Sequence, residues 1–171
     1  MMGRRKLYIH CQGMDDISVK RGIIMYFVDR KKIIEILDYM EKILNELNEG
    51  HRYDTFQGER ALERMAHVLT ESVLDVGNMM IDGFIMRDPG GFNDIIDILV
   101  DEKVIPETEQ TSYKQMIEIR EMIVRHYMSV DHEFIFDTMM KHKSVLDKFS
   151  SHIKTYLDNE LGVVNAFSND S

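Results

Sequence analysis

A short stretch in the second half of the chain combines residue types that suit phosphodiester chemistry: Arg120, Arg125, His126 and Tyr127. A neutral histidine can accept a proton from a ribose 2′-hydroxyl or donate one to the leaving oxygen. An arginine can hold the phosphate and stabilise the charge that develops in the transition state. This chemistry needs no metal ion, so the stretch is a candidate ribonuclease site.

The spacing of these residues on a helix does not by itself complete such a site. At about 100° per residue, Tyr127 lies about 20° from Arg120, whereas His126 lies about 120° away from it. Arg120 and His126 would therefore converge only at a frayed helix end or across a dimer interface. From residue types alone, a solvated or salt-bridged helix face is favoured over a catalytic one.

Other candidate residues are weaker. Arg87, beside the Gly90-Gly91 turn, can contact a phosphate, although capping or a surface ion pair is favoured. A metal site is conceivable on the helical face that three aspartates share, but a solvated acidic face is favoured: Asp94, Asp97 and Asp101. Three histidines do not share a helical face: His132, His142 and His152. The sequence contains no zinc-ligand spacing and no glycine-rich phosphate loop, so we expect neither a metal nor a cofactor.

Composition and charge limit the classes of function. The chain has 171 residues, which suits one domain, and its net charge of −9 disfavours broad electrostatic binding to nucleic acid. The single cysteine, Cys11, excludes an internal disulfide framework and fits a reducing compartment. No apolar run reaches membrane-spanning length, and no apolar stretch follows the basic residues at the N-terminus. We therefore expect a cytoplasmic protein with no membrane association.

Helical periodicity predicts the elements that must position these side chains, because apolar residues recur at helical spacing and no strand-like alternation appears. Small residues on the second predicted helix, Gly77 among them, let neighbouring helices approach closely, so this helix is expected to be central. The predicted fold is all-α, an antiparallel bundle of four long helices plus one short helix. The predicted helices cover about 29–49, 57–83, a short segment after the turn at 87–91, 106–128 and, after an N-cap at Asp131, a last helix that ends at Gly162.

The first residues of the chain differ from the rest. Residues 1–24 show no sustained period, and we expect them to form a disordered tail. Alternatively, the natural chain starts at Met25 and the upstream segment is not native. The folded domain is accordingly expected to cover residues 25–171.

Four segments occur in order along the chain: MYFVDRKKI, LTESVLDVGNMMIDGFIMRDPGGFNDIIDILVDEKVI, IREMIVRHY followed by VD, and ELGVVNAF. On these segments the chain resembles, from about Met25 to Phe167, the HepT-like family of the HEPN group. Within that family it is most similar to the YutE-like branch of bacterial cytosolic proteins. The middle segment is long and distinctive, and it carries most of the resemblance.

The resemblance implies a dimeric helical bundle, and many members of the family are ribonuclease toxins paired with an MNT-type nucleotidyltransferase antitoxin. The family motif is arginine, four residues, histidine, one residue, tyrosine, and the antitoxin can add AMP groups to that tyrosine. Carried over, the motif arginine is Arg120 and the motif tyrosine is Tyr127. Arg125 occupies the histidine position of this narrow motif, whereas His126 satisfies the looser HEPN spacing of four to six intervening residues.

Two hypotheses follow from these patterns. In the first, the chain is a metal-independent endoribonuclease and the toxin of such a pair, with Arg120 and His126 as the catalytic residues. Arg125, Tyr127 and Arg87 would then bind RNA, and Tyr127 would be the site of AMPylation. In the alternative, the chain is a non-catalytic dimeric scaffold or binding subunit of a nucleotidyltransferase. A homodimeric bundle that binds a nucleotide or small phosphate ligand near Arg87 and Arg120 is a third interpretation.

Overall fold

The computed structural model describes residues 28–47 and 53–168 of the chain. The part of the chain that it describes consists of helices and connecting turns, with no strand, as the periodicity predicts. Five helices follow one another: α1 (Arg30–Glu46), α2 (Phe56–Gly83), α3 (Phe92–Asp101), α4 (Gln110–Arg125) and α5 (His132–Ser168). The predicted tail at residues 1–24 and the predicted helix stop at Gly50 lie outside the described residues.

Side-chain caps determine where three of the helices begin. The Asp29 carboxylate accepts a hydrogen bond from the backbone N–H of Lys32 at 3.0 Å, at the start of α1. The Thr55 hydroxyl accepts one from Gly58 at 3.1 Å, at the start of α2. The Asp131 carboxylate accepts one from Phe134 at 2.9 Å, at the start of α5. Each cap satisfies a backbone donor that the first helical turn leaves unpaired, and the predicted caps at Asp29 and Asp131 are confirmed.

Helix α2 is central, because it packs against each of the other four helices. Its inward face is buried along nearly its whole length, through Leu62, Leu69, Val73, Val76 and Met80. Gly77 lies on this face against α3, where a Cβ atom would come within 2.6 Å of the Ile95 side chain. The predicted close approach at this small residue is therefore confirmed, and α2 brings α3 and α4 together on one side of the bundle.

Two predicted helix limits are wrong. Helix α4 begins at Gln110 rather than Pro106, because a 3-10 turn over Glu107–Glu109 follows the proline. It ends at Arg125 rather than near Met128, because His126 leaves helical geometry and its carbonyl accepts a turn hydrogen bond from Ser129. This turn reverses the chain ahead of α5.

The predicted stop of the last helix is also wrong, since α5 continues through Gly162 to Ser168. A glycine inside a helix costs only about 1 kcal/mol relative to alanine, so it does not end a helix by itself.

Candidate functional site

Three helices meet at the side chain of Arg120. Its Nε–H donates a short hydrogen bond to the Glu71 carboxylate on α2. Its guanidinium carbon lies 4.3 Å from the centroid of the Phe92 ring, at the start of α3. The Arg120 side chain is only 21% exposed. Because one contact holds Nε and the other holds the guanidinium plane, the orientation of Arg120 is defined before any ligand binds.

Arg120 opens onto a small cleft at the surface of α3 and α4. The cleft measures about 70 Å³ and is lined by Phe92, Ile117, Arg120, Glu121, Val124 and Arg125. The Arg125 guanidinium lies 2.8 Å from the Glu121 carboxylate and is otherwise largely exposed. The structure therefore brings two of the predicted site residues, Arg120 and Arg125, to one cleft.

His126 and Tyr127 lie just beyond the end of α4. His126 is the C-cap, with φ −117° and ψ 32°, and its N–H donates to the Met122 carbonyl. Its side chain is exposed and does not line the cleft beside Arg120. Tyr127 is 64% exposed. Because α4 ends at Arg125, the angular separation that an ideal helix would give the side chains of Arg120 and His126 does not apply to them.

Arg87 lies apart from this cleft, in the turn before α3. Its two Nη groups donate to the two oxygens of Asp94 at 2.8 and 2.6 Å, and the Gly90 N–H donates to the same carboxylate. The hydrogen bonds from Arg87, and then that from Gly90, lower the pKa of Asp94 to about 2. Arg87 therefore stabilises the turn through an ion pair, which is one of the two structural roles that the sequence favoured for it.

The acidic face of α3 is also paired with cations. Asp97 lies 2.5 Å from Lys114 and accepts a hydrogen bond from Gln110, and Asp101 lies 4.0 Å from Arg87. Among the described residues, no group of three or more His, Cys, Asp or Glu side chains is arranged to hold a metal ion.

The three histidines of α5 contact three different partners. His132 pairs with Glu63 at 2.7 Å, His142 with Gln115, and His152 with Glu109 at 3.1 Å. Burial, and then the charge of Lys141, lower the pKa of His142. These histidines pack against other helices at separate places, so they do not form one site.

Apolar side chains remain exposed around the end of α4. Val124 and Tyr127 are about half and two-thirds exposed, and Met128 is 87% exposed. Phe92, which stacks on Arg120, is also half exposed. A cluster of large exposed apolar groups next to charged residues is typical of an interaction surface.

Three residues of the site were missing from the sequence-based prediction: His67 and Glu71 on α2, and Phe92 on α3. His67 Nε2 lies 3.2 Å from Glu71 Oε1, the same oxygen that accepts from Arg120. The i, i+4 spacing of His67 and Glu71 is a helical pairing that the sequence does display. The contact between Glu71 and Arg120 has no sequence signal, because α3 lies between α2 and α4 along the chain.

Comparisons with known proteins identify the family of the chain. The sequence model of the family described as Ribonuclease HepT-like matches residues 33–153 of the chain. This chain belongs to the HepT-like family. The match covers Glu71, Phe92, Arg120 and His126, so the cleft and the end of α4 lie inside the family domain.

Two comparisons place the chain in the YutE branch of the HepT-like family. It is 45% identical over 143 residues to a Bacillus subtilis protein named "Putative RNase YutE", covering 84% of this chain and 99% of that one. The solved structure of YutE from Bacillus subtilis, described as a cytosolic protein of unknown function, superposes with a TM-score of 0.78. It has 44% sequence identity and covers 81% of this chain and 96% of that chain. In the described part of this chain, no helix is long and apolar enough to cross a membrane.

Proposed function

We propose that this HepT-like protein is a metal-independent endoribonuclease. The observation that carries the proposal is the fixed Arg120, held by Glu71 through Nε and by Phe92 through its ring face. Among the described residues, Glu71 is the hydrogen-bond partner of this guanidinium, and it uses only the Nε–H. The Nη donors can therefore bind a phosphate at the cleft, which suits the bidentate geometry of arginine.

Four of the five predicted residues have a role in this proposal, whereas Arg87 is paired with Asp94 away from the cleft. Arg120 holds the scissile phosphate and stabilises the transition state, and Arg125 adds a second positive contact at the rim of the same cleft. His126 exchanges a proton with the reacting oxygens. Tyr127, with its ring exposed, stacks on a base of the RNA.

A second copy of the chain would complete the site. His126 and Tyr127 face outward, and the exposed apolar side chains of Val124 and Met128 lie next to them. Covering this surface in a homodimer would bring the ends of two α4 helices together and set their motif residues around one cleft. Met128→Asp should therefore produce monomers in analytical ultracentrifugation and reduce RNA cleavage with them.

We also propose that this ribonuclease is the toxin of a toxin–antitoxin pair, which implies an antitoxin protein as its partner. Tyr127 is exposed enough for its hydroxyl to reach the active site of another enzyme, so an MNT-type nucleotidyltransferase could add AMP to it and silence the ribonuclease. The description of the YutE relative as cytosolic supports a cytoplasmic location for such a pair. Mass spectrometry after incubation with the nucleotidyltransferase and ATP should find AMP on wild-type protein and none on Tyr127→Phe.

Two observations favour the non-catalytic alternative, in which the bundle is a scaffold subunit of the nucleotidyltransferase. The histidine position of the narrow motif holds Arg125, and His126 lies outside the cleft. This alternative predicts a stable complex with the enzyme and no RNA cleavage at any protein concentration.

RNA cleavage tests the proposal directly. Purified wild-type protein should cleave single-stranded RNA in the presence of EDTA, and His126→Ala and Arg120→Ala should each lose about 10²-fold or more in rate. Arg30→Ala is the matched control, because Arg30 forms an exposed ion pair with Asp158 and has no role in the proposal. Cleavage that survives unchanged in His126→Ala would refute the assignment of His126.

A further inference from the structure

One carboxylate oxygen of Glu71 contacts two nitrogens that belong to different helices. Glu71 Oε1 accepts the hydrogen bond from Arg120 Nε of α4, and it also lies 3.2 Å from His67 Nε2, one turn earlier on α2. The three side chains are between 21% and 35% exposed, so water screens these contacts less than it screens an ion pair on the open surface. His67 is therefore linked to Arg120 through Glu71, although His67 does not line the cleft beside Arg120.

Glu71 also lines a groove between α1 and α2, together with the cations Lys32 and Arg64. In the described part of the chain, neither of these cations forms an ion pair with Glu71, which contacts Arg120 and His67 instead. A glutamate side chain on a helix has several rotatable bonds, so its carboxylate can turn away from one partner unless another contact restricts it. His67 supplies such a contact, at the i, i+4 spacing at which helical side chains meet.

We infer that His67 is a positioning residue of the ribonuclease site, an inference that rests on the proposed function. His67 keeps Glu71 Oε1 turned towards Arg120, and Glu71 keeps Arg120 Nε fixed, so that the Nη groups stay aimed at the phosphate. In this role His67 touches no substrate and exchanges no proton. The groups that orient a functional side chain determine how precisely it is held, and a misplacement of about 1 Å can slow a reaction about 10²-fold.

The effects on KM and on kcat distinguish positioning from a simple effect of charge. A carboxylate near a bound phosphate repels it, so removing the charge of Glu71 should leave KM for RNA unchanged or lower it. Losing the contact with Arg120 Nε should nevertheless lower kcat, by about 10²-fold in Glu71→Ala. His67→Ala keeps Glu71 and removes one i, i+4 contact, which corresponds to a factor of about 2. In that variant kcat should fall about 2-fold at an unchanged KM.

A double-mutant cycle on kcat for single-stranded RNA tests the inference. His67→Ala should lower kcat about 2-fold in the wild-type background and leave it unchanged in Glu71→Ala, because the residue through which His67 acts is then absent. His67→Gln should keep the wild-type kcat, because a glutamine amide can donate a hydrogen bond to a carboxylate at i, i+4. His132→Ala is the matched control, since His132 also pairs with a glutamate of α2, at 2.7 Å from Glu63, but has no role in the proposed function. The control should leave kcat unchanged in both backgrounds.

The Nε–H signal of Arg120 in NMR spectra gives a second readout, which does not depend on catalysis. The signal is assigned by its absence from Arg120→Lys, and the hydrogen bond to Glu71 should slow its exchange with water. Exchange should be faster than wild type in His67→Ala, faster still in Glu71→Ala, and unchanged in His132→Ala.

The possible outcomes separate this inference from the proposed function. If wild-type protein cleaves RNA and His67→Ala keeps both the wild-type kcat and the wild-type exchange of Arg120 Nε–H, His67 has no positioning role, although the ribonuclease assignment stands. An equal loss of kcat on His67→Ala in the wild-type and Glu71→Ala backgrounds would also overturn the inference, because His67 would then act independently of Glu71. A wild-type protein without ribonuclease activity would overturn both. Thermal unfolding of each variant identifies any loss that is due to misfolding, and His67→Gln provides a second folded replacement.

Discussion

Replacing Gly77 by alanine should destabilise the bundle, although alanine is the better helix former. Gly77 lies on α2 where α3 crosses it, and a Cβ atom there would come within 2.6 Å of Ile95 Cγ2 and 3.4 Å of Leu99 Cδ1. Ordinary carbon contacts are about 3.5–4.0 Å, so the first contact is too short by about 1 Å. Ile95 is buried and branched at Cβ, so it cannot rotate away cheaply.

The expected size of this effect follows from two opposing terms. Over-packing a core costs about 1–3 kcal/mol, and replacing an interior helical glycine by alanine recovers about 1 kcal/mol. Because the contact is about 1 Å too short, the over-packing cost lies at the upper end of its range. The net loss in the free energy of unfolding should therefore be about 2 kcal/mol, which lowers Tm by about 4–8 °C for a domain of this size. Because α3 carries Phe92, moving α3 away from α2 should also loosen the stacking on Arg120 and slow RNA cleavage.

Urea unfolding of four proteins measures this prediction: wild type, Gly77→Ala, Ile95→Leu and the double variant. Leucine lacks the methyl group on Cβ that causes the clash, so Ile95→Leu should cost little in the wild type and relieve strain in Gly77→Ala. We expect a favourable coupling free energy of about 1 kcal/mol between the two positions. A Gly77→Ala protein that is as stable as wild type, with no coupling to Ile95, would refute the argument for a close helix crossing.

Three further predictions concern the charged residues. Arg120→Lys should lower kcat by about 10²-fold, measured on RNA with Arg30→Lys as control, because lysine has no planar fork to contact Glu71, Phe92 and a phosphate together. Asp94 has its pKa lowered from 3.8 to about 2 by Arg87 and Gly90, so its ionised form stabilises the fold above about pH 4, and this contribution is lost as the pH falls towards 2. The difference in Tm between wild type and Asp94→Asn should therefore shrink over that range, and an unchanged difference at pH 2 would contradict the pairing. RNA affinity should depend only weakly on salt, with a slope of about −1.4 in a plot of log K against log salt, because two arginines contact a single strand in a protein that is otherwise acidic. A slope steeper than about −4 would require a basic surface elsewhere.

Much of the fold could be predicted from local patterns. The apolar stripe of α2 and the caps Asp29 and Asp131 depend on residues within a few positions of one another, and these predictions are confirmed. The end of α4 could not be predicted in this way, because the periodicity continues past Arg125 while the chain turns to begin α5. That turn places His126 outside the helix, so the error in one helix limit altered the predicted geometry of the site.

The sequence by itself determined the helical class of this protein, its membership of the HepT-like family and the candidate motif from Arg120 to Tyr127. These properties depend on residue types and short spacings, which are written directly along the chain. Only the tertiary structure decided that Arg120 is held by Glu71 and Phe92, and that His67 shares the same carboxylate. The physical reason is that these contacts depend on how α2, α3 and α4 pack, down to the missing side chain of Gly77, and no local pattern specifies which polar groups such packing brings together.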